Sequence, residues 1–139
     1  HACMNIASFD DLLLAARSQP EPQRLLFVFA NVELPDKPTA EQRAAFEAGR
    51  GGALAPVMCV DKSPAELPDF ATLVGESEQF GQSWALVFAA ALSGRSGRAP
   101  ADADIDKALE RMVESINGGA IGSMIPFDRH GQVLMLSGG

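Results

Sequence analysis

Apolar residues along the chain are concentrated in three runs, at positions 24–30, 53–60 and 83–92. The first and third runs lack the alternation of a half-exposed strand, and an unbroken apolar run predicts a strand buried on both faces. Pro56 interrupts the second run. Because proline has no backbone N–H to donate, we predict that this strand lies at an edge or contains a bulge. The run at 24–30 is predicted to be a central strand.

Helix signals lie before, between and after these runs. Ser8 is a candidate N-cap for a first helix, and further helices are predicted over about 40–48, 68–79 and 105–116. The last of these has the most regular helical spacing of apolar residues, with Asp102 or Asp104 as its cap. A terminal hairpin is predicted next, with strands at 123–127 and 132–136 and a turn at 128–131.

This order of elements predicts a single α/β domain over residues 4–139. Strands separated by helices are expected to run mostly parallel, with right-handed crossovers that place helices on both faces of the sheet. We therefore predict a sandwich built on a mixed, mostly parallel sheet of about five strands, ending in a C-terminal β-hairpin. Residues 1–3 precede Met4 and are expected to be a cloning remnant.

Composition narrows the class of protein. A hydrophobic content of 47% excludes intrinsic disorder. The 18 acidic and 11 basic residues give a net charge of −7, which argues against nucleic acid as a partner, because such binding depends on Lys and Arg neutralising phosphates. No apolar run approaches the roughly 20 residues of a membrane span, and no secretory signal is recognisable. A soluble, cytoplasmic protein without membrane contact is expected.

The chain has two cysteines, Cys3 and Cys59, and two histidines, His1 and His130. Two cysteines cannot form a disulfide framework or a four-cysteine zinc site, and no histidine pair has ligand spacing. We therefore expect neither a metal nor a cofactor.

Three segments resemble thioredoxin-like proteins. Residues 8–11 and 24–30 resemble the opening helix and the central strand of that fold. Residues 127–133 are similar to the hairpin turn near its C-terminus. The resemblance implies a thioredoxin-like strand order, and a flavodoxin-like order is the alternative. Because the chain has no Cys-x-x-Cys motif, the resemblance implies no disulfide oxidoreductase activity.

The whole chain also resembles a family of small bacterial proteins that often carry the label ribonucleotide reductase alpha subunit. The stretches that carry this resemblance are 25–35, 58–62, 91–95 and 125–129. Reductase chemistry of that kind needs a radical-bearing cysteine and a redox-active cysteine pair. Two cysteines cannot fill three roles, so the label does not imply this activity here.

In an open α/β sheet, ligands bind beyond the carboxyl ends of the parallel strands. Those ends are predicted at 31–33, 61–63 and 93–98. The last segment places two Arg and two Ser among glycines, which favours a nest for a small anion, although a solvated loop has the same composition. The predicted ligand-binding residues are Ser93, Arg95, Ser96, Arg98, Asp61 and Lys62.

Three other features have possible chemistry. Cys59 precedes Lys62 and a helix start at Ser63, an arrangement that lowers the pKa of a thiol, but it has the alternative of packing in the core. His130 lies in a predicted turn, where an acid or base catalyst would lack a pocket. The carboxylates of the segment 102–106 are expected to complement a helix dipole rather than to bind a cation.

The leading functional hypothesis is a non-catalytic binding or regulatory module that forms a small homo-oligomer. It rests on the absence of a recognisable catalytic motif and on the apolar terminal segment 133–136, whose strand edge lacks a protecting charge. One alternative is an enzyme that binds a phosphorylated small molecule at the strand ends. The other is a thiol redox protein that uses Cys59.

Overall fold

The computed structural model describes residues 6–33, 39–47, 53–81, 83–118 and 120–134, so the predicted cloning remnant lies outside the described residues. The elements are, in chain order, α1 (Phe9–Arg17), β1 (Gln23–Glu33), α2 (Ala40–Glu47), β2 (Ala53–Lys62), a 3-10 turn (Pro64–Glu66), α3 (Phe70–Glu78), β3 (Leu86–Ser93), α4 (Asp102–Asn117) and β4 (Ile125–Phe127). No helix among these residues has the length and apolar character needed to cross a membrane.

The described strands form one four-stranded sheet in the order β2-β1-β3-β4. Every neighbouring pair in this sheet is antiparallel. The prediction of a mostly parallel sheet of about five strands is therefore wrong, and so are the thioredoxin-like and flavodoxin-like strand orders that depended on it.

The error has a geometric cause. β2 and β3 are both antiparallel to β1, so they run in the same direction as each other, as the crossover containing α3 predicts. However, β1 lies between them and takes the place of a parallel neighbour. A parallel pair requires a long connection, but a long connection does not require a parallel pair. The helical connections from β1 to β2 and from β3 to β4 both lead to antiparallel neighbours.

β1 has an unbroken apolar run because it lies between two hydrophobic cores, one on each face of the sheet. Leu25, Phe27 and Phe29 point to one face of the sheet, where residues of α1 and α3 pack. The alternate side chains, Leu26, Val28 and Ala30, point to the other face and contact α4. All six are at most 2% exposed, so the prediction of a central strand is confirmed.

The two edges of the sheet differ in length and protection. β4 has three residues, and Val133 bridges to Phe127 on its outer side. The Val133 N–H donates to the Ala7 carbonyl at 3.2 Å, so the N-terminal segment in turn covers this short bridge. Met135 and Leu136 of the predicted terminal strand lie outside the described residues. At the opposite edge, β2 has ten residues.

Pro56 accounts for the irregularity of this long edge. The pairing of β2 with β1 shifts beside Pro56, because Phe29 pairs with Met58 whereas Ala30 pairs with Pro56, which leaves Val57 without a partner. Both parts of the prediction for this strand, an edge position and a bulge, are confirmed. The residues from Met58 to Lys62 pair regularly with β1.

Candidate functional site

Two of the three predicted strand-end segments meet at one end of the sheet. Lys62 at the end of β2 pairs with Leu25, and Ser93 at the end of β3 pairs with Gln23, so both lie beside the start of β1. Asn31, from the third segment, pairs with Ala55 toward the opposite end. The antiparallel orientation of β1 therefore removes residues 31–33 from the predicted rim.

The segment that follows β3 is a tight turn. The backbones of Arg95 and Arg98 exchange two hydrogen bonds of 3.0 and 2.9 Å. Between them, Ser96 and Gly97 have φ values of 52° and 75°, the pattern of a type I′ turn. The side chains of Arg95, Ser96 and Arg98 are exposed.

A backbone N–H of this turn, which could bind an anionic ligand, already binds a carboxylate of the chain itself. The Gly97 N–H donates to a Glu21 carboxylate oxygen at 2.7 Å. Ser93 Oγ accepts a hydrogen bond of 2.8 Å from Gln23 Nε2. No local pattern in the sequence indicates the contact between Glu21 and Gly97, because the two residues lie 76 positions apart.

Asp61 and Lys62 are each held in an ion pair. Arg24 Nε lies 2.7 Å from Asp61 Oδ2, and Lys62 Nζ lies 2.7 Å from Glu76 Oε1 on α3. Arg24 also reaches Glu66 Oε1 with its Nη1 at 3.1 Å, which ties β1 to the 3-10 turn. These pairs fix the end of β2 against its neighbours on both sides.

Cys59 is an exposed residue of β2, opposite the buried Val28. Neighbouring atoms exclude water from part of the sulfur, which raises the pKa of the thiol above its ordinary value of 9.0, and the Asp61 carboxylate raises it further. Lys62, the cation expected to lower this pKa, is paired with Glu76. Cys59 is therefore a protonated thiol at neutral pH.

A cleft of about 580 Å³ follows the edge of β2. It lies between this strand and the end of α3, and its lining consists of Cys59, Val60, Asp61, Lys62, Glu76, Gln79 and Phe80. Phe80 is 60% exposed, a large fraction for an aromatic side chain beside a core. Cys59, Asp61 and Lys62, which are candidates from the sequence, therefore line the same cleft as Glu76, Gln79 and Phe80. The second group reaches β2 only because α3 packs beside it.

A second cleft, of about 330 Å³, is lined by Glu78, Gly81, Ser83, Trp84 and Arg129. The Arg129 guanidinium lies 4.1 Å from the centre of the Trp84 ring and 3.9 Å from Glu78 Oε1. His130 follows in an exposed turn, where its backbone N–H donates to Asp128 Oδ1 at 2.8 Å. An arginine of the chain itself therefore covers the aromatic face of this cleft.

The acidic segment at the start of α4 is solvated. Asp102, Asp104 and Asp106 are exposed, and the helix begins after Ala101, so the predicted cap at Asp102 or Asp104 is wrong. The first two carboxylates lie in the first helical turn, where they complement the helix dipole. Within the described ranges, no group of three or more His, Cys, Asp or Glu side chains is arranged to hold a metal ion.

Comparisons of this chain with protein-family models, with curated proteins and with solved structures find no match.

Proposed function

We propose that this protein is a non-catalytic binding module, located in the cytoplasm, that takes up an extended polypeptide segment as an additional strand beside β2. The observation that carries this proposal is the outer side of β2. The strand has ten residues, it is the last in the order of described strands, and it has no charged side chain from Ala53 to Val60.

Backbone chemistry supports strand addition at this position. An edge strand presents a row of N–H and C=O groups that can pair with another chain, and protective charges normally prevent this pairing. Main-chain hydrogen bonds provide the affinity in such complexes, and pockets for alternate side chains provide the specificity. Here the cleft beside β2 supplies a pocket, with the exposed ring of Phe80 as its apolar wall.

The states of the catalytic candidates favour binding over chemistry. Cys59 has a raised thiol pKa, so only a small fraction of it is the nucleophilic thiolate at neutral pH. This weakens the thiol redox alternative. His130 is exposed in a turn, where water competes with any substrate.

The phosphorylated-ligand alternative is weaker for a different reason. A phosphate at the turn after β3 would have to displace the Glu21 carboxylate from the Gly97 N–H. The exposed Arg95 and Arg98 would attract such an anion, but neither they nor the turn line the cleft at β2. Replacing both arginines with alanine should therefore leave strand addition unchanged.

A peptide with the sequence of residues 53–62, with serine in place of its cysteine and a fluorescent label, is the probe for strand addition. We expect saturable binding by fluorescence anisotropy, and loss of binding when alternate peptide amides are N-methylated, because methylation removes the backbone donors. Phe80→Ala should weaken binding. Leu14→Ala should not, because Leu14 is also exposed, at 56%, but lies on α1.

The proposal is overturned if the chain, diluted until it is monomeric, shows no binding of this peptide up to about 1 mM, which corresponds to about −4 kcal/mol. It is equally overturned if the N-methylated peptide binds as well as the unmodified one, since recognition would then not involve the peptide backbone.

A further inference from the structure

We infer that the strand accepted by β2 is β2 of a second copy of this chain, paired antiparallel across a two-fold axis. This inference rests on the proposed function and adds the identity of the partner. The pairing would join two four-stranded sheets into one continuous sheet and would protect the long edge of both copies.

The charges around the cleft favour a neutral partner. Two charged residues of β2 line it, and each has a partner within the chain at 2.7 Å: Asp61 with Arg24, and Lys62 with Glu76. A charged peptide would therefore find these groups already neutralised. An uncharged, strand-forming segment fits better, and residues 53–60 of the chain are such a segment. A second copy thus brings the complementary strand without placing unpaired like charges against each other.

The register of β2 indicates where the two copies would meet. Val57 is out of register with β1, whereas Met58, Cys59 and Val60 pair regularly with β1 and carry no charge. A two-fold interface uses the same patch on both copies, so its axis passes through this part of β2. With the axis at Met58, Cys59 or Val60, the Cys59 residues of the two copies are direct or diagonal cross-strand neighbours. Their Cβ atoms would then be about 5–8 Å apart.

The cleft adds a side-chain contact to the backbone pairing. Phe80 lines the cleft together with the end of β2, so a strand added along this part of β2 would lie near the ring, and each copy would cover the Phe80 ring of the other. A ring that is 60% exposed in one chain would lose much of that exposure. Among the described residues the opposite edge offers no comparable surface, because β4 has three residues and Val133 and Ala7 lie beyond it.

The first test is the oligomeric state in solution, measured by sedimentation equilibrium on the full chain carrying Cys3→Ser, which removes the other thiol. We expect a dimer at micromolar concentration. Cys59→Lys should give a monomer, because a lysine on an edge strand prevents pairing. Leu14→Lys is the matched control and should remain a dimer, since it adds the same charge at an exposed apolar position on α1. An unchanged circular dichroism spectrum would show that Cys59→Lys is folded.

The second test locates the interface through Cys59. In the Cys3→Ser chain, a bis-maleimide with a span of about 8 Å should give a covalent dimer, and Cys59→Ser should give none. A monomeric chain that still binds the 53–62 peptide overturns the second copy as partner but leaves strand addition intact. A monomer that binds no peptide overturns both. If Cys59→Lys is still a dimer, and the chain that retains Cys59 gives no cross-linked dimer, the placement of the interface at β2 is overturned.

Discussion

At the scale of single residues, Glu66 shows how one side chain connects separate parts of the fold. Its Oε1 atom accepts the Ser63 N–H at 2.9 Å and the Arg24 guanidinium at 3.1 Å. The hydrogen bonds from Ser63 are the main cause that lowers the pKa of Glu66 below its ordinary value of 4.5, and Arg24 lowers it further. The ionised carboxylate therefore stabilises the end of β2 and the turn that follows.

The pKa of Glu66 predicts a pH-dependent contribution to stability. Because the folded-state pKa lies below the unfolded value, this contribution is complete above about pH 4.5 and is lost as the pH falls through the folded pKa. Glu66→Gln should lower the free energy of unfolding at neutral pH by about 1 kcal/mol at most, since the side chain is half exposed. Thermal melts of both chains should converge in acid. A constant difference at all pH values would contradict this mechanism, and the exposed Glu114→Gln controls for removing a carboxylate.

At the scale of elements, local signals in the sequence were sufficient for several helices and strands. The predicted helix over 105–116 corresponds to α4 (Asp102–Asn117), and the run at 83–92 corresponds to β3 (Leu86–Ser93). These predictions rest on residue patterns within one element, namely helical spacing for α4 and a continuous apolar run for β3. For the turn after β3, the local sequence indicates only a glycine-rich loop, because the geometry depends on Glu21 and Pro22. These two residues are distant in sequence and accept the N–H groups of Gly97 and Gly94.

Gly94 provides a test of how closely this turn is packed. It is buried, its N–H donates to the Pro22 carbonyl at 2.8 Å, and a Cβ atom at this position would overlap the Arg98 carbonyl oxygen. Gly94→Ala should therefore destabilise the protein by about 1–3 kcal/mol, the usual cost of overpacking. Gly122→Ala is the control, since a Cβ there meets open space. Denaturant unfolding measures both, and equal midpoints would show that the Arg98 carbonyl moves away at little cost.

At the scale of the whole molecule, the sequence could not predict which strands become neighbours. β1 pairs with β2 and β3 through contacts between residues far apart in the chain, and the apolar pattern of β1 is the same for parallel and antiparallel neighbours. The same limit applied to the site. Cys59, Asp61 and Lys62 were recognised from their local sequence, but the cleft exists because α3 brings Phe80 to β2.

The net charge of −7 makes a prediction about the proposed dimer as a whole. Two copies repel each other at long range, whereas the centre of the proposed contact consists of the backbone and the uncharged side chains of Met58 to Val60. The flanking Asp61 and Lys62 keep their ion partners within each chain. Salt shortens the Debye length from about 30 Å at 0.01 M to about 8 Å at 0.15 M, so it should weaken the repulsion and leave the contact unchanged. Sedimentation equilibrium should therefore show tighter dimerisation as salt rises over this range, while Cys59→Lys stays monomeric throughout. Dimerisation that weakens with salt would instead mean that ion pairs hold the copies together, which is incompatible with an interface formed by the uncharged part of β2.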